Sequence, residues 1–172
     1  MARIPLVGER TEDLSDDQLA LFDHVVGSRG KMIRPYEVLI HAPGVALPMS
    51  ELGEQIRYHS SLADHDRELV IMTAGALTGC RFEWDSHESI AIAAGVRREV
   101  LDHLEHGSPC ELTGAEAMLI EFVTELHTTS SVTDSTFAAA QVALGDRGVV
   151  ELAATVGYYT MLAYVMGACD AC

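Results

Sequence analysis

Apolar residues recur along this chain at spacings of three and four, and runs of strand-like alternation bounded by turn pairs are scarce. That periodicity puts apolar side chains on one face of successive helices, so the fold class it predicts is all-α. Several helix starts can be read directly. Ser15-Asp16-Asp17-Gln18 is a capping box, with Leu14 placed to staple onto Leu19, and it opens a helix running toward Gly27. Pro35 suits the first turn of a short helix to Ala42 that Pro43 stops. A helix is expected over 50–59. Ser61-x-x-Asp64 then begins a long one, Asp64 to Thr78, closed by Gly79. Further helices are predicted over 83–94, ending at Gly95, and over 97–106, before Gly107-Ser108-Pro109. Thr113-x-x-Glu116 is another capping box, and Ala115, Met118, Leu119, Phe122, Val123 and Leu126 form one stripe of its helix. The last two helices are expected over 134–144 and from about 148 to the C-terminus. There is no internal repeat and no low-complexity linker.

The 172 residues suit one compact domain, 1–172. With 48% apolar residues, the chain has the surface to bury that a disordered protein lacks. Its formal charge of −15 opposes binding to nucleic acid or to an anionic membrane, so neither is an expected partner. From Val149 to Cys169 only Glu151 is charged. Glu151, the tyrosines and the missing basic anchor argue against a membrane span there, and a helix apolar nearly all round points to a subunit interface in a homo-oligomer. The opening Met1-Ala2-Arg3-Ile4-Pro5-Leu6 lacks the apolar region of a secretory signal, which leads to a cytoplasmic expectation. In that reducing compartment Cys80, Cys110, Cys169 and Cys172 are expected to be thiols rather than a disulfide framework.

The chemistry-bearing residues gather between 67 and 87. Leu69-Val70-Ile71-Met72 is apolar on all sides, so its helix is expected in the middle of the fold. Glu68 shares a stripe there with Met72, Gly75 and Gly79, whose small residues leave room for a neighbour or ligand. A carboxylate so placed is partly desolvated, a setting suited to giving and taking protons. Read from spacing alone, Glu68 lies in the first turn, where an acid is favoured by the helix dipole anyway. Cys80 precedes the next helix, and Glu83 and His87 share one of its faces at i, i+4. A thiol at a helix N-terminus has its thiolate stabilised by the dipole, which marks Cys80 as a candidate reactive group. Each of these types also has a packing role: cysteine and histidine are common core residues, and Trp84, the one tryptophan, suits the core as well as a substrate platform. His59, His65 and Asp66 lie close in sequence, but no pair has the helical i, i+4 spacing of metal ligands joined to a third, so no metal is expected.

Glu68, Cys80, position 83 and His87 resemble the Glu…Cys-x-x-Cys-x-x-x-His signature of the carboxymuconolactone decarboxylase and alkylhydroperoxidase D-like superfamily. The resemblance extends, in order, through Arg34-Pro35-Tyr36-Glu37-Val38-Leu39, Arg67-Glu68-Leu69, Glu83-Trp84-Asp85-Ser86-His87-Glu88 with Ala94-Gly95, and Val156-Gly157-Tyr158-Tyr159. It implies an all-α fold around a central helix hairpin, assembled as trimers or hexamers, with no metal and no organic cofactor. One departure stands out. Where the peroxidase branch has its second cysteine this chain has Glu83, and a carboxylate cannot resolve a sulfenic acid.

The resemblance thus implies, first, a cofactor-free lyase or isomerase of the decarboxylase-like branch, acting on a small carboxylated lactone or related enolisable acid. His87 and Glu83 would move the protons, Glu68 would orient His87, and Cys80 would be a secondary member. An arginine is needed for the substrate carboxylate; Arg81 and Arg34 with Trp84 are the substrate-contact candidates, and Arg67 and Arg57 are further guanidinium candidates. The second reading is a thiol peroxidase or redox sensor using Cys80, resolved by Cys169, Cys172 or a small thiol. The third is a non-catalytic oligomeric binding protein. The Cys169-Asp170-Ala171-Cys172 pair lies outside the family signature, and a frayed end is the expectation for it.

Overall fold

The computed structural model describes residues 2–8 and 11–172; Met1, part of the segment read for a leader, lies outside them. All regular structure among the described residues is α-helical: α1 (Asp16–Arg29), α2 (Arg34–Leu39), α3 (Pro43–Tyr58), α4 (Asp64–Thr78), α5 (Arg81–Ala93), α6 (Arg98–His106), α7 (Gly114–Thr129) and α8 (Asp134–Ala168). The chain divides into two compact units. One runs to His59 and takes in Tyr164–Cys172, and the other is Ser60–Ala163.

In the first unit α1 begins at the expected capping box, with both the Ser15 and Gln18 side chains engaged, and ends at Gly30 with φ 77°. α1 and α2 both pack on α3. Their buried residues include Leu21, Val25, Tyr36, Ala46 and Ile56. Arg29 is buried with them, its guanidinium donating to Ser50 Oγ at 2.8 Å and lying 4.8 Å from the centre of the Tyr36 ring. Such partners offset the cost of taking a charge out of water.

Two proline readings are corrected here. Pro43 does not merely stop a helix; it sits at the first turn of α3, where its missing N–H costs nothing. Pro48 then lies inside α3, so the helix starts well before the expected Ser50. The C-terminal end is not frayed either. Ala171 N–H donates to Met166 O at 2.9 Å, Asp170 takes φ 55°, and Arg3 N–H donates to Cys169 O at 2.8 Å. That pattern closes the helix as a Schellman-type cap does.

In the second unit α4 is the central element, and α5, α6 and α7 all pack against it. Its Leu69, Val70, Ile71 and Met72 are buried as the sequence predicts. Gly79, at φ 68°, ends α4 in the left-handed region and turns the chain into α5, so α4 and α5 form a tight hairpin. Gly75 faces α5, and a Cβ there would make ordinary van der Waals contact with the Trp84 backbone nitrogen at 3.8 Å.

Ser61 does not cap α4; the N-cap is Ala63, with no side-chain hydrogen bond. The Ser61 N–H and hydroxyl instead donate to Glu151 Oε2 at 2.6 Å each, and Ser60 adds a third bond at 2.9 Å. Thr113 and Glu116 form the expected capping box of α7, and Leu119, Phe122 and Val123 of the stripe are buried. α8 is interrupted at Gly145, whose φ 69° and ψ 174° are non-helical, close to where the sequence divides two helices. Among the described residues α8 is the one helix long and apolar enough to cross a membrane, and half of its apolar window is buried inside the protein.

Candidate active site

The α4–α5 hairpin sets the site. Glu68 is the fifth residue of α4, past the first turn in which the sequence reading placed it, so the dipole alone does not account for it. It is 2% exposed. Glu83 and His87, one turn apart on α5, are both 4% exposed. Because the hairpin runs antiparallel through Gly79, Glu68 meets His87: Glu68 Oε2 lies 2.8 Å from His87 Nδ1. The other Glu68 oxygen, Oε1, is 3.5 Å from Arg67 Nε, and Arg67 is held by Asp64 at 2.9 Å.

A carboxylate only accepts, so Nδ1 is the donor in this pair and Nε2 is left to face elsewhere. It faces Tyr159, whose hydroxyl lies 3.3 Å away, with the two rings edge to face at 5.2 Å and 89°. Tyr159 was quoted only within the resemblance and was not among the candidate site residues. It stands 72 positions from His87 in a run of apolar residues, and no local spacing signals the contact.

Cys80 is the N-cap residue of α5 and is 2% exposed. It borders a cavity of ≈180 Å³ whose wall is Gly75, Ala76, Gly79, Arg81, Trp84, Leu104 and Glu105. Gly75 and Ala76 of α4 and its C-cap Gly79 line this space, whereas Glu68, Glu83 and His87 do not. The buried indole N–H of Trp84 has no hydrogen-bond partner among the described residues. Arg81, at the rim, is already bound by Asp85 at 2.6 Å and by Glu105. Its pairing with Asp85 first, then Glu105, holds the guanidinium pKa above its ordinary value.

Of the four arginine candidates, Arg67 and Arg81 therefore lie in the unit that carries Glu68 and His87. Arg34, paired with Glu37 at 3.3 Å, and Arg57, stacked 5.5 Å from the Tyr58 ring, belong to the first unit. Cys80 and Cys172 are disulfide-bonded, which corrects the expectation of four thiols; Cys110 and Cys169 are the free ones. Cys169 and Cys172 are accordingly not bonded to each other. His65 Nδ1 is engaged by Asp66 at 2.9 Å, and no cluster of three or more potential metal ligands occurs among the described residues.

The α4–α5 hairpin thus carries a buried glutamate–histidine pair, with a cysteine at its turn. The segment that holds all of these residues, 43–125, matches the model of the Carboxymuconolactone decarboxylase family. The family resemblance read from Glu68, Cys80 and His87 is thereby borne out.

The fold is shared with an uncharacterized peroxidase-related protein from Ralstonia eutropha JMP134, described as an alkylhydroperoxidase AhpD core. The TM-score is 0.80 at 15% identity, covering 99% of this chain and 91% of that one. A second uncharacterized peroxidase-related protein, from Silicibacter sp. TM1040, gives 0.77 at 12% identity, covering 98% and 90%. A protein of unknown function from Agrobacterium tumefaciens gives 0.67 at 16%, covering 78% and 93%. No curated protein matches the sequence.

Proposed function

We propose that this protein is a thiol-dependent enzyme that reduces hydroperoxides, with Cys80 as the reacting sulfur and Glu68–His87 as its proton-handling pair. The observation that carries this reading is the position of Cys80: at the N-terminus of α5, beside a cavity, in a sulfur that forms a disulfide. A helix N-terminus favours the thiolate, which is the nucleophilic form. The peroxidase-related description of two of the structural relatives supports it.

The Cys80 thiolate attacks the terminal oxygen of ROOH; the S–O bond forms, the O–O bond breaks, and the departing alkoxide takes a proton to leave as ROH. In this reading His87, two turns along α5 and held by Glu68, is the source of that proton. A second thiol then condenses with the sulfenic acid, forming S–S and releasing water. Glu83 cannot supply that thiol, so it comes from elsewhere in the chain or from a small thiol. A dithiol reductant restores both thiols.

The test is to reduce the protein, mix it with cumene hydroperoxide, and count thiols against peroxide consumed. Loss of two thiols per peroxide, abolished in Cys80→Ser, is the expected result. A Cys80 that stays reduced in excess peroxide overturns the reading.

The buried Glu68–His87 couple, with Glu83 one turn away on the face of His87, favours a second reading. In it a small carboxylated lactone loses carbon dioxide and is protonated by Glu83 or His87, without any sulfur chemistry. Glu83→Gln and His87→Ala would then abolish turnover of γ-carboxymuconolactone while Cys80→Ser is tolerated, the reverse of the thiol pattern.

A further inference from the structure

His87 has both ring nitrogens engaged, and only one engagement can give way. Its side chain is 6% exposed, so bulk water does not reach it. Nδ1 is fixed on the Glu68 carboxylate, a charged acceptor at 2.8 Å. Nε2 meets the Tyr159 hydroxyl at 3.3 Å, long for an O–H···N bond and therefore easily exchanged for a better partner. The Tyr159 ring is held independently of its hydroxyl, edge to face with His87 at 5.2 Å and with Tyr158 at 5.2 Å and 84°.

We propose that Tyr159 is a positioning residue for His87, whose hydroxyl partners Nε2 and so fixes the Nδ1–H tautomer. A hydroxyl suits this task because it donates to neutral imidazole and accepts from imidazolium. Neutral Nε2 accepts a hydrogen bond from the phenol O–H, and a protonated Nε2–H donates one to the phenol oxygen. Either way the buried ring keeps two partners, and a buried polar atom left without one is costly. The ionisable groups set around the ring are Glu68 with Arg67 behind it on α4, Glu83 on α5, and Tyr159 with Tyr158 on α8. Of these, only Tyr159 is within hydrogen-bonding distance of Nε2 in the geometry described above.

The inference rests on Glu68–His87 being the proton-handling pair, whichever substrate is used, and its test does not need a known substrate. The ¹⁵N resonances of His87 are recorded in the native protein and in Tyr159→Phe, with His87→Gln identifying the signals. In its neutral form the native ring should show a protonated Nδ1 and a hydrogen-bonded, unprotonated Nε2. Phenylalanine keeps both ring contacts and removes the hydroxyl, so Nε2 should move downfield to the position of a bare acceptor. Fluorotyrosine at 159, a stronger donor in the same ring, should move it upfield and serves if the phenylalanine variant does not fold. Where hydroperoxide reduction is measurable, Tyr159→Phe should slow it about tenfold and alter its pH profile. Unchanged His87 resonances in both variants overturn the proposal. Resonances that respond, in a protein inert toward hydroperoxide, leave Tyr159 in place and remove the peroxidase reading instead.

Discussion

Glu68 and His87, on the two arms of a helix hairpin, are joined by a 2.8 Å hydrogen bond from Nδ1 to a carboxylate that is almost wholly out of solvent. Each partner justifies burial of the other. The carboxylate gains a donor in His87 and a cation in Arg67, and the imidazole gains a fixed orientation.

Removing the acid should therefore be felt in both stability and chemistry. In Glu68→Ala the imidazole loses its charged partner inside the fold, at a cost of about 1.5–3 kcal/mol. That corresponds to a fall in Tm of roughly 3–12 °C for a chain of this size. Turnover should drop about a hundredfold, since the general acid–base partner is no longer oriented. Calorimetry and a steady-state assay on the same preparation check the two effects, and Glu68→Gln should recover more of the stability than of the activity.

Acid should weaken the second unit through two carboxylates. The Arg97 guanidinium, with Thr113, holds Glu116 down to about 2 from an ordinary 4.5. Burial acts to raise Glu151, yet bonds from Ser61, Arg147 and Ser60 bring it to about 2 as well. Both folded values are depressed, so their stabilisation is fully present above about pH 5 and is lost as pH falls toward 2. Glu116→Gln should lower Tm by roughly 2–6 °C at pH 7, allowing for the half-exposed Arg97, and by progressively less toward pH 2. Parallel melts of the native and variant proteins across that range give the comparison; a constant difference would contradict the assignment.

Glycine substitutions in α8 should separate by backbone geometry. Gly145 occupies φ 69°, ψ 174°, a region open in practice to glycine alone, so Gly145→Ala should cost about 1–3 kcal/mol. A Cβ at Gly148 would sit 2.6 Å from the Leu144 Cβ, and that variant should also destabilise. Gly157 has open space around its Cβ position within the helix, so Gly157→Ala should raise stability by about 0.5–1 kcal/mol. Urea melts of the three variants would show whether the signs fall as stated.

The helices themselves were determined by the sequence where the signal is local. The capping boxes at Ser15 and Thr113, the left-handed glycines at 79 and 107, and the apolar run of α4 each act within one or two turns, so their outcome depends little on the rest of the chain, whereas α1 passes the expected Gly27 and ends at Gly30. Glu83 and His87 could be placed on one face for the same reason. Where tertiary structure overruled the local signal, a distant partner did it. Ser61 has the look of a helix start, but the Glu151 carboxylate, ninety positions away, takes both its N–H and its hydroxyl. The helix expected from Ser50 begins instead at Pro43 and continues through Pro48, with Met49, Ser50, Gly53 and Ile56 buried beyond it.

The partner of His87 Nε2, the bonded state of Cys80 and the prior engagement of Arg81 likewise had no sequence signature. Hydrogen bonds and sulfur bonds between remote residues follow from how whole helices pack, and a one-dimensional spacing carries no information about that. Residue types and local periodicity thus determined the fold class and the arms of the hairpin, while only the packed structure decided which nitrogen, oxygen and sulfur atoms meet.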